Sequence, residues 1–137
     1  MLIREFISEA NKSQMIKTLL KKYKVGNVRV KLKSMKEHAH YNVDTGTLEL
    51  STRYKTIKSS QVKEFLITIL HEIYHAMDSK KYGWKKFKNK YEYEMNLMVS
   101  QDKDEYKDNK FDIEAEEFGQ LNWRKWYTKF KNNNLIT

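Results

Sequence analysis

The sequence predicts an α+β fold in a single domain that spans residues 1–137, with an N-terminal helix, a small three-stranded, mainly antiparallel sheet, and helices after it. Three observations support this prediction: apolar residues at helical intervals come first, strand-like alternation follows, and a longer helical repeat comes next. A chain of 137 residues can bury one proper core but is too short for two ordinary domains.

The N-terminal region predicts a helix and then a strand. Apolar residues recur at helical intervals through residues 2–24, and Gly26 is the predicted end of this helical region. The stripe shifts near Asn11, so the sequence leaves one kinked helix and two short helices open. Residues 28–32 alternate apolar and basic, which is typical of a strand with one buried face.

A hairpin is predicted next, because residues 41–43 and 48–50 flank the turn sequence Asp44-Thr45-Gly46. The glycine stands where such a turn requires a positive φ. His38 and His40 come just before the hairpin and are two residues apart, a spacing that permits metal binding. We favour the simpler interpretation that they are exposed strand residues.

A long helix follows, with Ser59 and Ser60 as predicted N-caps and Gly83 as its predicted stop. Its apolar residues form one stripe at Val62, Phe65, Leu66, Ile69, Leu70, Ile73 and Met77. We expect a further helix over residues 91–99, a loop over residues 101–110, and a last helix that begins near Asp112.

The residues His71-Glu72-Ile73-Tyr74-His75 lie within the long helix. Residues four apart on a helix lie above one another, so both imidazoles can reach one metal ion. Glu72 is placed to meet a water in the open coordination position and to take its proton. The pattern predicts a Zn²⁺ site with Glu72 as catalytic base; the alternative is a surface helix with a solvated His pair.

A catalytic zinc site usually has a third protein ligand, and the acids of residues 112–117 supply the candidates. Asp112, Ala115, Glu116 and Gly119 share one helical face, on which the non-acidic residues are small. Small side chains let two helices approach closely, so we predict Asp112 as the ligand and Glu116 as the acceptor that orients a ligand imidazole. Glu114 and Glu116 stay open as alternative ligands, and acids also favour the first turn of any helix.

These residues resemble the ImmA/IrrE type of zinc metallopeptidase, a family of the zincin class. The resemblance rests on the pentapeptide with Ala76 and on the later segment with Asp112, Ala115, Phe118 and Gly119, and it covers most of residues 10–130. The family's ligand at the position of Asp112 is normally Glu. The resemblance implies a minimal zincin-like domain and a cytoplasmic peptidase that cleaves a repressor or another regulatory protein.

Peptide hydrolysis at one zinc ion is therefore the predicted activity, with a protein or peptide as substrate. His71 and His75 supply imidazoles, Asp112 supplies a carboxylate, and Glu72 moves the proton. An oxyanion donor is also expected, and the sequence leaves Tyr74, Tyr82 and Tyr91 as candidates.

The amino-acid composition limits which other functions the chain can have. The chain has no cysteine, and its net charge is +9, but only four of its 27 basic residues are arginine, the residue that base-specific readers favour. A cytoplasmic protein without a membrane segment is predicted. The second hypothesis is a catalytically weak or inactive zincin-fold binding module, whose lysine-rich surfaces bind nucleic acid or an acidic protein.

Overall fold

The structure, a computed structural model, describes residues 6–136 and has an α+β fold. Within these residues it contains four helices and two small sheets. The helices are α1 (Glu9–Lys22), α2 (Val62–Tyr82), α3 (Trp84–Ser100) and α4 (Lys110–Asn132). The strands are β1 (Phe6–Ile7), β2 (Arg29–Lys33), β3 (Ala39–Asn42), β4 (Thr47–Ser51) and β5 (Ile57–Lys58).

The three-stranded sheet has the order β2-β4-β3 and is mixed. The predicted hairpin is confirmed, because β3 pairs antiparallel with β4 and Gly46 has a φ of 66°. The mainly antiparallel prediction is wrong for the other pair, since β2 runs parallel to β4. After β2 the chain crosses the position that β4 later occupies and forms β3 at the far edge of the sheet. The hairpin then brings β4 between β2 and β3. Alternation along β2 could not reveal which strand would become its neighbour.

The N-terminal helix is shorter than predicted. Phe6 and Ile7 form β1, which pairs antiparallel with β5, and residues 1–5 of the predicted helix lie outside the described residues. The helix begins after Ser8, whose side chain accepts a hydrogen bond from the Asn11 backbone nitrogen at 3.1 Å. It ends at Lys22, before the predicted stop at Gly26, because Lys24 adopts the left-handed conformation with a φ of 61°.

The core is built around α2, and its predicted apolar stripe is buried, apart from Met77, which is partly buried. A 3₁₀ turn at Ser59–Gln61 precedes the helix, so the N-cap is Gln61 and the predicted caps Ser59 and Ser60 are wrong. Gly83 is confirmed as the C-cap, and its φ of 85° is a conformation that favours glycine.

The last helix packs closely against α2. Ala115 and Gly119 of α4 are buried, and a Cβ added at Gly119 would lie 2.9 Å from the Ile67 carbonyl oxygen of α2. The predicted face of small residues is therefore the face on which α4 approaches α2.

Helix α3 connects these two helices and begins seven residues before the predicted helix at 91–99. The loop after it ends at Asn109, whose side chain accepts from the Phe111 backbone nitrogen at 2.9 Å and caps α4. No helix between residues 6 and 136 has the length and apolar character needed to cross a membrane.

Candidate metal centre

The two histidines of α2 approach each other through their Nε2 atoms. His71 and His75 lie one helical turn apart, and their Nε2 atoms are 3.2 Å apart. The side chains are 19% and 8% exposed, respectively. Most of each ring is thus held by surrounding protein, which fixes its orientation, while the ring tips face a common point.

Asp112, in the first turn of α4, reaches the same point. Its Oδ1 lies 2.9 Å from His75 Nε2 and 3.3 Å from His71 Nε2. Among the described residues, this is the one group of three or more potential ligands whose ligand atoms lie within 4.8 Å of one another.

The spacing of these three atoms suits zinc. In a tetrahedral zinc site, bonds of about 2.0–2.1 Å place neighbouring ligand atoms roughly 3.3–3.4 Å apart. The three observed separations range from 2.9 to 3.3 Å. Two imidazoles and one carboxylate are also a donor set that zinc accepts, so the residues present fit the ion.

Glu116 lies one turn beyond Asp112 and contacts the other side of the His71 ring. Its Oε2 is 3.1 Å from His71 Nδ1, and its Oε1 accepts from Gln120 Nε2 at 3.1 Å. Because a carboxylate only accepts, the proton on this side belongs to Nδ1. A neutral His71 in this tautomer would offer the Nε2 lone pair to a cation. The structure thus places Glu116 where an orienting acceptor was predicted.

The pKa values of His71 and Asp112 are shifted because the two side chains are hydrogen-bonded to each other. Burial lowers the pKa of His71, but the hydrogen bond to Asp112, the charge of Glu72 and the hydrogen bond to Glu116 outweigh it and raise the pKa to about 9. Burial raises the pKa of Asp112, yet hydrogen bonds from His71 and His75 hold it well below its usual range. In the absence of a cation, a protonated imidazole therefore compensates the Asp112 charge.

Tyr91 of α3 holds the second oxygen of Asp112. Its hydroxyl donates to Asp112 Oδ2 at 2.5 Å, and its ring packs edge-on against His75 with centroids 5.9 Å apart. Burial, then the hydrogen bond to Asp112, raises the pKa of Tyr91, so the hydroxyl keeps its proton. From the sequence, Tyr91 was only one of three candidate oxyanion donors. The position of Tyr91 in the sequence does not indicate a contact with Asp112.

The remaining candidates lie elsewhere. The Tyr74 hydroxyl donates to Glu114 Oε2 at 3.3 Å, and this hydrogen bond is exposed. Glu114 is therefore not brought to the histidine pair. Tyr82 lies beneath the ammonium groups of Lys81 and Lys90.

A cleft of about 490 Å³ opens beside the group. Glu72, only 7% exposed, lines it together with His71. The other walls come from α2, from α4 and from the start of β3. They include Glu64, Thr68, Glu116, Gln120, His38 and Ala39.

His38 belongs to a second polar cluster at the cleft, one that the sequence did not reveal. Its Nδ1 lies 2.6 Å from the Tyr54 hydroxyl and 3.0 Å from Glu64 Oε1. Arg53 donates to its Nε2 at 2.8 Å, so Nδ1 carries the proton of a neutral ring. His40 is exposed on β3, opposite Glu49 of β4. Neither histidine joins the group formed by His71, His75 and Asp112.

Comparison of the chain with protein-family models, with curated proteins and with solved structures gives no match.

Proposed function

We propose that this protein is a zinc-dependent metalloendopeptidase with a minimal zincin-like domain of the ImmA/IrrE type. The observation that supports this most strongly is the convergence of two imidazole nitrogens and one carboxylate oxygen, 2.9–3.3 Å apart, beside a cleft that also contains Glu72. The ligand atoms come from two different helices, and even His75 and Asp112 are 37 residues apart in the sequence. A chance cluster of solvated side chains would not be expected to meet these spacings.

In this proposal, His71, His75 and Asp112 hold the ion. Bound Zn²⁺ would supply a Lewis acid for the scissile carbonyl and would lower the pKa of a water in the open position. Asp112 and His71 are already oriented for this role by Tyr91 and Glu116, respectively. The three ligand side chains therefore need little rearrangement beyond loss of the His71 proton.

Glu72 is the proposed general base and general acid. Its carboxylate accepts a proton from the attacking water and later delivers it to the nitrogen of the leaving amine. Its position supports this role, because Glu72 lines the cleft beside His71 and its side chain is only 7% exposed to bulk solvent.

The proposed substrate is an extended peptide segment of a protein. In the order β2-β4-β3, β3 is an edge strand, and it packs against α2. Ala39, at the start of β3, lines the cleft with Glu72. Backbone groups on such an edge can pair with an incoming strand, which would draw its peptide bonds along the cleft. A regulatory or repressor protein is the substrate class that the family resemblance implies.

The test compares wild type with Glu72→Gln. Both proteins are incubated with zinc and a mixture of synthetic peptides of varied sequence, and cleavage is followed by mass spectrometry. We expect both to bind one zinc ion, with hydrolysis only by wild type. Retained hydrolysis by Glu72→Gln would rule out the assigned base. Glu117→Gln, on the exposed surface of α4, is the matched control and should cleave like wild type.

A nonenzymatic binding module is the second candidate. The observation in its favour is the exposed basic row of Arg29, Lys31 and Lys33, which alternate along edge strand β2 and so share one face. Such a row can attract phosphates. Salt-sensitive binding of duplex DNA, lost on reversal of these three charges and accompanied by no peptide hydrolysis, would favour this candidate.

A further inference from the structure

The two candidate ligand histidines differ on the side that faces away from Asp112. His71 Nδ1 is paired with Glu116 at 3.1 Å. His75 Nδ1 is buried, and within residues 6–136 it has no hydrogen-bond partner. A buried ring nitrogen without a partner is costly, and a ligand imidazole normally donates through its second nitrogen.

A second buried atom without a partner lies on the next turn of the same helix. Asp78 Oδ2 is buried and has no hydrogen-bond partner among the described residues. Asp78 follows His75 by three residues on α2, and such positions are neighbours on a helix surface, with Cβ atoms about 5–6 Å apart. The two groups interact electrostatically, because burial raises the pKa of Asp78 and the charge of His75 opposes this rise.

We infer that Asp78 is a positioning residue for His75, whose carboxylate accepts the Nδ1 proton when Nε2 binds the metal ion. This inference rests on the metal site of the proposed function. Coordination through Nε2 places the proton of the neutral ring on Nδ1, so the unpaired nitrogen becomes an obligatory donor. Rotation of the Asp78 side chain, or one bridging water, is the route by which the two groups would meet.

The pairing would make the two ligand imidazoles equivalent. His71 has Glu116 of α4 as its acceptor, and His75 has Asp78 of its own helix. Each acceptor fixes the tautomer in which Nε2 keeps its lone pair, and each makes that nitrogen a better donor to the metal.

The metal-free protein would then carry a cost that the metal-bound protein does not. Asp78 is half-buried, and its buried, unpaired Oδ2 disfavours the folded state, so removal of Asp78 should leave the metal-free fold equally stable or make it more stable. The same substitution should weaken metal binding. Ordinary structural residues behave differently, because their loss lowers both.

The test measures zinc affinity by competition with a chromophoric chelator, and thermal unfolding of the metal-free protein, for four proteins. Against wild type, Asp78→Ala should bind zinc about 10- to 100-fold more weakly, which is the usual effect of losing such an acceptor. Asp78→Asn should recover part of this loss, because its amide oxygen can still accept. Ser79→Ala is the matched control, since Ser79 is buried one turn after His75 but carries no carboxylate.

The inference is supported if Asp78→Ala loses affinity while its metal-free melting temperature stays equal to or above that of wild type, with Ser79→Ala unchanged. Zinc affinity equal to wild type in Asp78→Ala would overturn the inference and leave the proposed function intact. A parallel loss of affinity and metal-free stability would also overturn it, because Asp78 would then act through the fold. No zinc binding by wild type would overturn the proposed site and this inference with it.

Discussion

Gly119 of α4 lies so close to Ile67 of α2 that an added Cβ would be 2.9 Å from the Ile67 carbonyl oxygen. This approach sets the distance between the two helices two turns after Asp112. A short aspartate side chain can contact both histidines because the helix backbones are close at this contact.

Gly119→Ala is therefore expected to destabilise the protein, although alanine is the better helix former. The gain in helix propensity is about 1 kcal/mol, whereas overpacking against an immobile backbone oxygen costs about 1–3 kcal/mol. The difference is a net loss of up to about 2 kcal/mol by chemical denaturation, and we expect weaker zinc binding with it as Asp112 moves away.

Leu121→Ala, at a position that is 81% exposed on the same helix, is the control and should leave both properties near wild type. A Gly119→Ala protein that is more stable than wild type would show that the two helices can separate at little cost.

Tyr91→Phe should weaken zinc binding, because it removes the hydroxyl that holds Asp112 Oδ2 at 2.5 Å. We expect a loss of roughly tenfold, at the lower end of the effect of removing a partner of a metal ligand. Chelator competition measures it, with Tyr74→Phe as the control because its hydroxyl contacts Glu114 instead. If Tyr91→Phe bound zinc normally but lost hydrolysis, the hydroxyl would act on the substrate oxyanion instead.

Zinc affinity should increase with pH because the metal must displace the proton of His71. The pKa of this imidazole is raised to about 9 in the metal-free protein. Between about pH 7 and pH 9 the apparent affinity should rise close to tenfold per pH unit, and then level off. Isothermal titration in buffers of different ionisation enthalpy would detect the released proton. A zinc affinity that is independent of pH over this range would show that His71 is not protonated in the metal-free protein.

Stability of the metal-free protein should change in the opposite direction. A folded-state pKa raised from 6.5 to about 9 gives His71 a stabilising contribution that is complete below about pH 6.5 and is lost as the pH rises through 9. The lowered pKa of Asp112 gives a contribution that is present above its usual range and is lost in acid. Thermal unfolding in chelator should therefore show a maximum between these limits, and His71→Gln should flatten the alkaline side.

The parts of the fold that depend on local sequence were predictable. Helix α2 and the β3–β4 hairpin follow from apolar periodicity and from a turn that needs a glycine at Gly46. The parts that depend on distant partners were not. Ile7 forms a strand because Ile57 pairs with it, and the apolar spacing of the N-terminal residues suits a helix equally well.

The candidate site divides in the same way. The contact of Asp112 with the histidine pair could be anticipated, since the small residues on its face of α4 permit a close approach. The contact of Tyr91 with Asp112 could not, because the path of α3 decides it and no residue spacing encodes that path. The cluster around His38 was missed for a related reason: Arg53, Tyr54 and Glu64 meet it only through the tertiary fold.

Metal analysis of the purified protein tests the central claim most directly, with His75→Ala, Asp112→Ala and Glu114→Ala measured beside wild type. We predict one zinc ion per chain in wild type and in Glu114→Ala, and loss of the ion or much weaker binding in the other two. A wild-type chain that holds no zinc, even after incubation with the metal at pH 9, would contradict the account, as would an Asp112→Ala protein that keeps its full zinc content.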